Sequence, residues 1–194
     1  MKIAITGGIG SGKTLATEQL KSMGYPVFSA DEISRNLVNG PKGAEILSPL
    51  FPHAIKNGKV DRKALASIVF TDEGELKKLN SALHPAIMQT LYAEMERAEA
   101  NSSLVFAEVP LLFESQTEKD FDRVWVIMRG EDDRVNSAAQ RDGISKEEVR
   151  LRIKNQIDYS NTDFSAHTVI VNGETKENFL RRIQEEVAKI LKSL

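Results

Sequence analysis

The 194-residue chain contains no cysteine, which excludes disulfide bonds, thiolate metal sites and a cysteine nucleophile and suits a reducing compartment. It also lacks any apolar run near the roughly 18 residues of a membrane span. The apolar run at residues 3–5 is short and is broken by Gly7 and Gly8, so we expect no signal peptide. The formal net charge of −2 lacks the basic excess typical of nucleic-acid or acidic-membrane binding. We therefore expect a cytoplasmic protein with neither kind of partner, and the sequence fixes no oligomeric state.

Short β-rich runs alternate with helical patterns along much of the chain. The runs lie at residues 2–6, 26–28, 103–109, 124–128 and 168–171. Such alternation predicts a five-stranded parallel sheet covered by helices on both faces. Residues 31–100 are mostly helical in pattern and too long for a plain crossover, so they predict an inserted helical subdomain. Within it, Pro85 is expected to interrupt a helix or to begin the next one.

The sequence GGIGSGKT at residues 7–14 matches the phosphate-binding pattern G-x-x-x-x-G-K-[ST]. Glycines allow successive backbone N–H groups to converge on phosphate oxygens, and the helix that follows adds the positive end of its dipole. Lys13 would contact the β- and γ-phosphates, and the Thr14 hydroxyl would bind Mg²⁺. The alternative is a glycine-rich turn that binds nothing, but the preceding strand and following helix favour a purine triphosphate. The predicted nucleotide-binding residues are Gly8, Gly10, Ser11, Gly12, Lys13, Thr14 and Leu15.

Three classes of P-loop protein fit this motif: a small-molecule kinase, a GTPase switch and a motor ATPase. The sequence has no N-K-x-D motif for guanine, and the chain is short for a motor. Small P-loop kinases keep an acceptor site in a helical insertion after the second strand, which favours a kinase by analogy of fold. We thus predict an α/β P-loop NTPase fold of three layers with an inserted helical substrate subdomain and a lid.

Asp31 stands just past the second predicted strand, in ADEISR. The carboxyl ends of strands in a doubly wound sheet face the ligand crevice, where an aspartate can orient an acceptor hydroxyl and take its proton. The alternative is that Asp31 caps a helix starting at Glu32. Glu108 ends the third predicted strand and is a candidate for holding a Mg²⁺-bound water, with a structural acid as the alternative.

Seven motifs together resemble the dephospho-coenzyme A kinase family over nearly the whole chain. They are GGIGSGKT, ADEISR at 30–35, LHPAI at 83–87, VPLLFE at 109–114, QRDG at 140–143, RIKNQ at 152–156 and TVIVNG at 168–173. The resemblance implies transfer of the γ-phosphate of ATP, with Mg²⁺, to the ribose 3′-hydroxyl of dephospho-coenzyme A. It implies a core of about residues 1–30, 101–139 and 158–194, a substrate-binding insertion at about 31–100, and a mobile lid at about 140–157.

The resemblance also implies roles for single residues. Asp31 becomes the catalytic base, and Arg141 becomes a lid cation that neutralises charge on the transferred group, unless it is a solvated arginine at a helix end. The predicted substrate contacts are His84, Pro110, Leu111, Glu114, Arg152 and Gln156. Arg152 and Gln156 are expected on one helix face, four residues apart. The alternatives are a packed His84, a core Leu111, and exposed side chains without function at 152 and 156.

The sequence departs from the family pattern at four positions. Ser29 replaces the first aspartate of a D-A-D motif, and Leu15 replaces a small hydroxyl residue. Ser137 stands where the family usually has arginine, and His167 replaces an aspartate. We do not expect Arg134, two turns before Arg141, to replace the missing arginine. These departures predict a change in efficiency rather than loss of activity.

Overall fold

The computed structural model of the protein describes residues 1–69 and 71–194. The chain forms two compact units. The core unit comprises Met1–Phe28 and Arg97–Leu194, and the insert unit comprises Ser29–Glu96.

The described residues form seven strands and eight α-helices. The strands are β1 (Lys2–Thr6), β2 (Val27–Ser29), β3 (Ile55–Lys56), β4 (Lys59–Val60), β5 (Val105–Glu108), β6 (Arg123–Met128) and β7 (Thr168–Val171). The α-helices are α1 (Lys13–Ser22), α2 (Ala30–Asn39), α3 (Pro41–Leu47), α4 (Arg62–Val69), α5 (Glu73–Glu99), α6 (Glu131–Asp142), α7 (Lys146–Lys154) and α8 (Lys176–Leu191).

The sequence prediction of a five-stranded parallel sheet is confirmed, with strand order β2-β5-β1-β6-β7. Ile5 pairs with Glu108 on one side and with Trp125 on the other, so β1 lies at the centre of the sheet. Ile3, Ala4 and Ile5 are all fully buried although they point alternately to opposite faces, as expected for a sheet covered on both sides. The main core cluster joins this sheet to α1 and α8, and its largest members are Trp125, Phe106, Phe179, Ile3, Ile5, Leu20 and Ile127.

Capping side chains lie at the start of several helices. Ser145 accepts a hydrogen bond from the Glu148 N–H while the Glu148 carboxylate accepts one from the Ser145 N–H, which forms a capping box at the start of α7. Thr175 caps α8, whose buried face carries Phe179, Ile183 and Val187. Asp72 accepts from the N–H groups of Gly74 and Glu75 at the start of α5.

The insert unit contains α2, α3, α4, most of α5 and a small hairpin of β3 and β4 that the helical patterns do not indicate. The prediction that Pro85 interrupts or begins a helix is wrong, because α5 runs continuously from Glu73 to Glu99 with Pro85 inside it. A proline removes one helical hydrogen bond, but burial of Leu83, Met88 and Leu91 on either side stabilises the continuous helix. Among the described residues, no helix has the length and apolar character to cross a membrane.

Candidate active site

The phosphate-binding loop begins where β1 ends and leads directly into α1. Gly7, Gly10 and Gly12 have φ angles of 148°, 74° and 105°, which residues with a side chain rarely adopt. Gly12 precedes the first residue of α1, and no side chain caps that helix. The amino-terminal N–H groups of α1 therefore remain available to an anion at the loop.

Three side chains from distant parts of the core unit hold the loop in this shape. The Asn172 side-chain amide, just past β7, donates to the Ser11 carbonyl at 2.9 Å. The Gln156 side-chain oxygen accepts from the Ile9 N–H at 2.8 Å, and the Arg134 Nε donates to the Ile9 carbonyl at 3.0 Å. Both backbone groups of Ile9 are thus fixed by the segments before and after α7.

Arg134, which we did not expect to replace the missing arginine, lies at the phosphate loop. Its side chain, on the second turn of α6, is only 5% exposed and lies against the loop. A Cβ at Gly8 would lie 2.1 Å from Arg134 Nη2, and one at Gly10 would lie 2.2 Å from the Arg134 carbonyl oxygen. The close approach of α6 therefore leaves no room for a side chain at Gly10, and a side chain at Gly8 would displace the Arg134 guanidinium.

Tyr159 packs on the other side of the Arg134 guanidinium, whose carbon lies 6.0 Å from the ring centroid. The phenol shares a hydrogen bond of 3.3 Å with the Thr6 hydroxyl at the end of β1. Burial raises the pKa of Tyr159, so the phenol is neutral at physiological pH. Its ring also stacks on Phe164 at a centroid distance of 5.5 Å, which fixes its position.

The predicted nucleotide-binding side chains take different positions around the loop. Lys13 Nζ donates to the carbonyls of Gly7 and Gly8 at 2.7 and 3.2 Å, so its ammonium folds over the loop. The Thr14 residue is exposed, and the Ser11 hydroxyl is buried with no hydrogen-bond partner among the residues described. Leu15 packs against the main core cluster, so only its backbone faces the loop region.

A charged cluster lies where α6 ends and α7 follows. Arg141 donates to the Asp142 carboxylate through Nε and Nη2 at 2.7 and 3.0 Å, and Arg152 Nη1 lies 3.6 Å from the same carboxylate. The hydrogen bond to Asp142 raises the pKa of Arg141, to which the charge of Glu108 adds. The structure therefore brings Arg141 within electrostatic reach of Glu108, at the carboxyl end of β5.

Other predicted substrate residues have structural contacts that the sequence does not indicate. The Glu114 carboxylate accepts from the Ile157 N–H at 3.1 Å. Pro110 and Leu111 follow β5, and Leu111 is 40% exposed rather than part of the core. The prediction that Arg152 and Gln156 share a helix face is wrong, because α7 ends at Lys154 and Gln156 turns back to the phosphate loop.

The departures from the family pattern also have local explanations in the core unit. The Ser137 hydroxyl accepts a hydrogen bond from Arg129 Nη1 at 2.8 Å, so the guanidinium of Arg129 lies beside the position where the family usually has arginine. His167 packs against the Phe113 ring at a centroid distance of 5.4 Å. Neither contact involves the phosphate loop.

In the insert unit, the Ser29 hydroxyl caps α2 by accepting from the Glu32 N–H. The alternative in which Asp31 caps this helix is therefore wrong, and Asp31 is an exposed residue in the first turn of α2. His84 lies in α5, where its Nε2 is buried without a partner in the described part of the chain. Burial lowers the pKa of His84, which favours the neutral imidazole.

A model of the dephospho-CoA kinase family matches residues 1–177. A dephospho-CoA kinase from Shouchella clausii is 34% identical over 193 residues, covering 97% of this chain and 98% of the relative. The crystal structure of a Thermus thermophilus protein superimposes with a TM-score of 0.84 at 34% identity, covering 98% of this chain and 97% of the other. A dephospho-CoA kinase from Campylobacter jejuni superimposes with a TM-score of 0.74 at 28% identity, covering 100% and 99%. With the phosphate loop formed at the end of β1 and a family match over most of its length, this chain belongs to the dephospho-CoA kinase family.

Proposed function

We propose that the protein transfers the γ-phosphate of ATP to the ribose 3′-hydroxyl of dephospho-coenzyme A, giving coenzyme A and ADP. The observation that carries the proposal is the phosphate loop, with three glycines at positive φ and the uncapped start of α1 beside it. Membership of the dephospho-CoA kinase family supports the reaction as ATP-dependent phosphorylation of dephospho-CoA. The transferred group needs little covalent help, so the residues act mainly by positioning and charge neutralisation.

In this proposal the phosphates of ATP bind to N–H groups of the loop and of the start of α1, apart from those of Ile9 and Ser11, which donate to Gln156 Oε1 and to the Gly8 carbonyl. Lys13 exchanges the carbonyls of Gly7 and Gly8 for phosphate oxygens, which its flexible stem allows. Arg141 neutralises charge that develops on the transferred group, with Asp142 fixing the direction of its guanidinium. Closure of a lid over residues 140–157 would exclude water and limit idle hydrolysis of ATP.

Thr14 and Glu108 are the residues that would hold Mg²⁺. The exposed Thr14 is the second residue of α1, and Glu108 ends the strand that pairs with β1, so both are oxygen donors at the carboxyl edge of the sheet. Few protein ligands are needed, because Mg²⁺ keeps several waters and takes phosphate oxygens. The ion would offset the negative charge of the phosphates.

Asp31 is the base that takes the proton of the acceptor hydroxyl in this proposal. Asp31 follows β2 by two residues, and ligands of parallel sheets bind at the carboxyl ends of strands. Its carboxylate is exposed, and Ser29 rather than Asp31 caps α2, so the helix does not require this side chain. The remaining acceptor contacts are assigned to His84, Pro110, Leu111, Glu114, Arg152 and Gln156. A cytoplasmic location also stays a proposal.

The reaction is tested by measuring ADP release with dephospho-coenzyme A, with nucleoside monophosphates and without an acceptor. Stimulation by dephospho-coenzyme A alone supports the proposal. Stimulation by a nucleoside monophosphate would instead assign another small-molecule kinase, and equal rates in all three would indicate a nucleotide switch.

The role of Asp31 is tested by Asp31→Asn, with Glu32→Gln as the matched control on the same exposed turn. A general base contributes about 10²–10⁴-fold, so turnover should fall by at least about 100-fold while ATP affinity stays within about threefold. The control should retain wild-type turnover. Full activity of Asp31→Asn would remove Asp31 from this role.

A further inference from the structure

Arg134 carries a buried positive charge that the protein itself does not neutralise by an ion pair. Within residues 1–69 and 71–194, no carboxylate forms a salt bridge with its guanidinium, and its Nη2 is buried without a hydrogen-bond partner. Its neighbours are the Ile9 carbonyl and the Tyr159 ring, while Glu131 and Asp158 act only through longer-range attraction. A buried, unpaired charge is costly, so it calls for a compensating group.

The guanidinium lies against the part of the molecule that is shaped to receive an anion. It covers Gly8 and bonds to Ile9, at the middle of the phosphate loop. Burial lowers the pKa of Arg134, yet an arginine stays protonated at any physiological pH. The charge is therefore permanent, and in a site of low dielectric it acts strongly on neighbouring phosphates.

We propose that Arg134 is a positioning residue whose unpaired charge is compensated by the bound triphosphate, so that it holds the Gly8–Gly10 segment and also selects nucleotides by phosphate charge. Its hydrogen bond to Ile9 fixes the loop, and its charge raises the affinity for each added phosphate. The inference depends on the proposed function only in requiring that the loop binds a nucleoside triphosphate. Nucleotide binding is measured without an acceptor, so a failure of this inference is distinguishable from an absence of phosphoryl transfer.

The test compares AMP, ADP and ATP by competition against a fluorescent ADP analogue in the absence of Mg²⁺. Arg134→Met removes the charge and keeps an unbranched apolar side chain. We expect ATP to bind about tenfold more weakly, ADP about threefold and AMP less than about twofold, since tenfold corresponds to about 1.4 kcal/mol. Loss of loop packing alone would weaken all three nucleotides by one factor, and that result would overturn the proposal.

Two further variants separate charge from fold. Arg134→Lys keeps the charge without the Nε hydrogen bond, and it should recover at least about half of the lost ATP affinity on a logarithmic scale. If it binds ATP as weakly as Arg134→Met, charge is not the cause and the proposal is wrong. Arg181→Met is the matched control on α8, outside the proposed lid, where the exposed Arg181 pairs with Glu185 at 3.9 Å, and it should leave all three affinities within about twofold.

Discussion

Replacing Gly8 by alanine should displace the Arg134 guanidinium, because the new Cβ would lie 2.1 Å from Nη2 and 2.5 Å from Cζ. The φ angle of Gly8 lies outside the left-handed range, so the backbone itself accepts alanine. The clash is therefore with one side chain, and that side chain is buried at 5% exposure with little room to move.

The expected cost follows from the contacts that a displaced guanidinium loses. The hydrogen bond to Ile9 O has a charged donor and contributes about 1.5–3 kcal/mol. The contact with the Tyr159 ring contributes about 0.5–1 kcal/mol. Gly8→Ala should thus lower the free energy of unfolding by about 2–4 kcal/mol.

A double-mutant cycle measured by urea unfolding tests this reasoning. In an Arg134→Ala background the clash is gone, so Gly8→Ala should cost less than about 0.5 kcal/mol and the coupling energy should exceed about 1.5 kcal/mol. Gly10→Ala is the matched control, because its Cβ would meet the Arg134 backbone oxygen at 2.2 Å and its φ is 74°. Its cost should persist in both backgrounds. An equal cost of Gly8→Ala with and without the Arg134 side chain would refute the reasoning.

Three further predictions concern other contacts of the core unit. Thr14→Ala should raise the Mg²⁺ concentration for half-maximal ADP release by about tenfold while Mg²⁺-free ATP affinity stays within about twofold; an unchanged Mg²⁺ titration would exclude the hydroxyl as a ligand. Gln156→Leu leaves the Ile9 N–H without its acceptor, so calorimetry should show ATP binding about five- to tenfold more weakly, whereas unchanged affinity would make this contact unimportant. The pKa of Asp158 is lowered below 3.8, mainly by the hydrogen bond from the Asn161 side chain and next by the one from the Ser160 N–H. The ionised Asp158 therefore stabilises the fold above pH 3.8, and this stabilisation is lost as the pH falls through the lower pKa of the folded state. The melting-temperature difference between wild type and Asp158→Ala should be constant from about pH 7 to 5 and should shrink below pH 3.8; a difference that grows with acid would contradict the assignment.

Local sequence was sufficient to predict the sheet and the phosphate loop. Strand runs are short and apolar, and the loop motif has a fixed spacing between a strand and a helix, so neighbouring residues specify both. The cap of α7 was predictable for the same reason, because Ser145 and Glu148 are three residues apart. The prediction that Pro85 interrupts or begins a helix was wrong because burial of the residues around it outweighs the local effect of proline.

The sequence by itself determined the P-loop kinase fold and the family, since both depend on motifs read along the chain. Only the tertiary structure decided why Gly8 and Gly10 are glycines and what Arg134 contacts. Arg134 and Ile9 are 125 residues apart, and Gln156 and Ile9 are 147 residues apart. No local pattern relates such positions. Arg134 meets Ile9 because β6 pairs directly with β1, which brings the start of α6 to the phosphate loop. There the Arg134 side chain, to which no sequence motif assigns a role, is a buried charge.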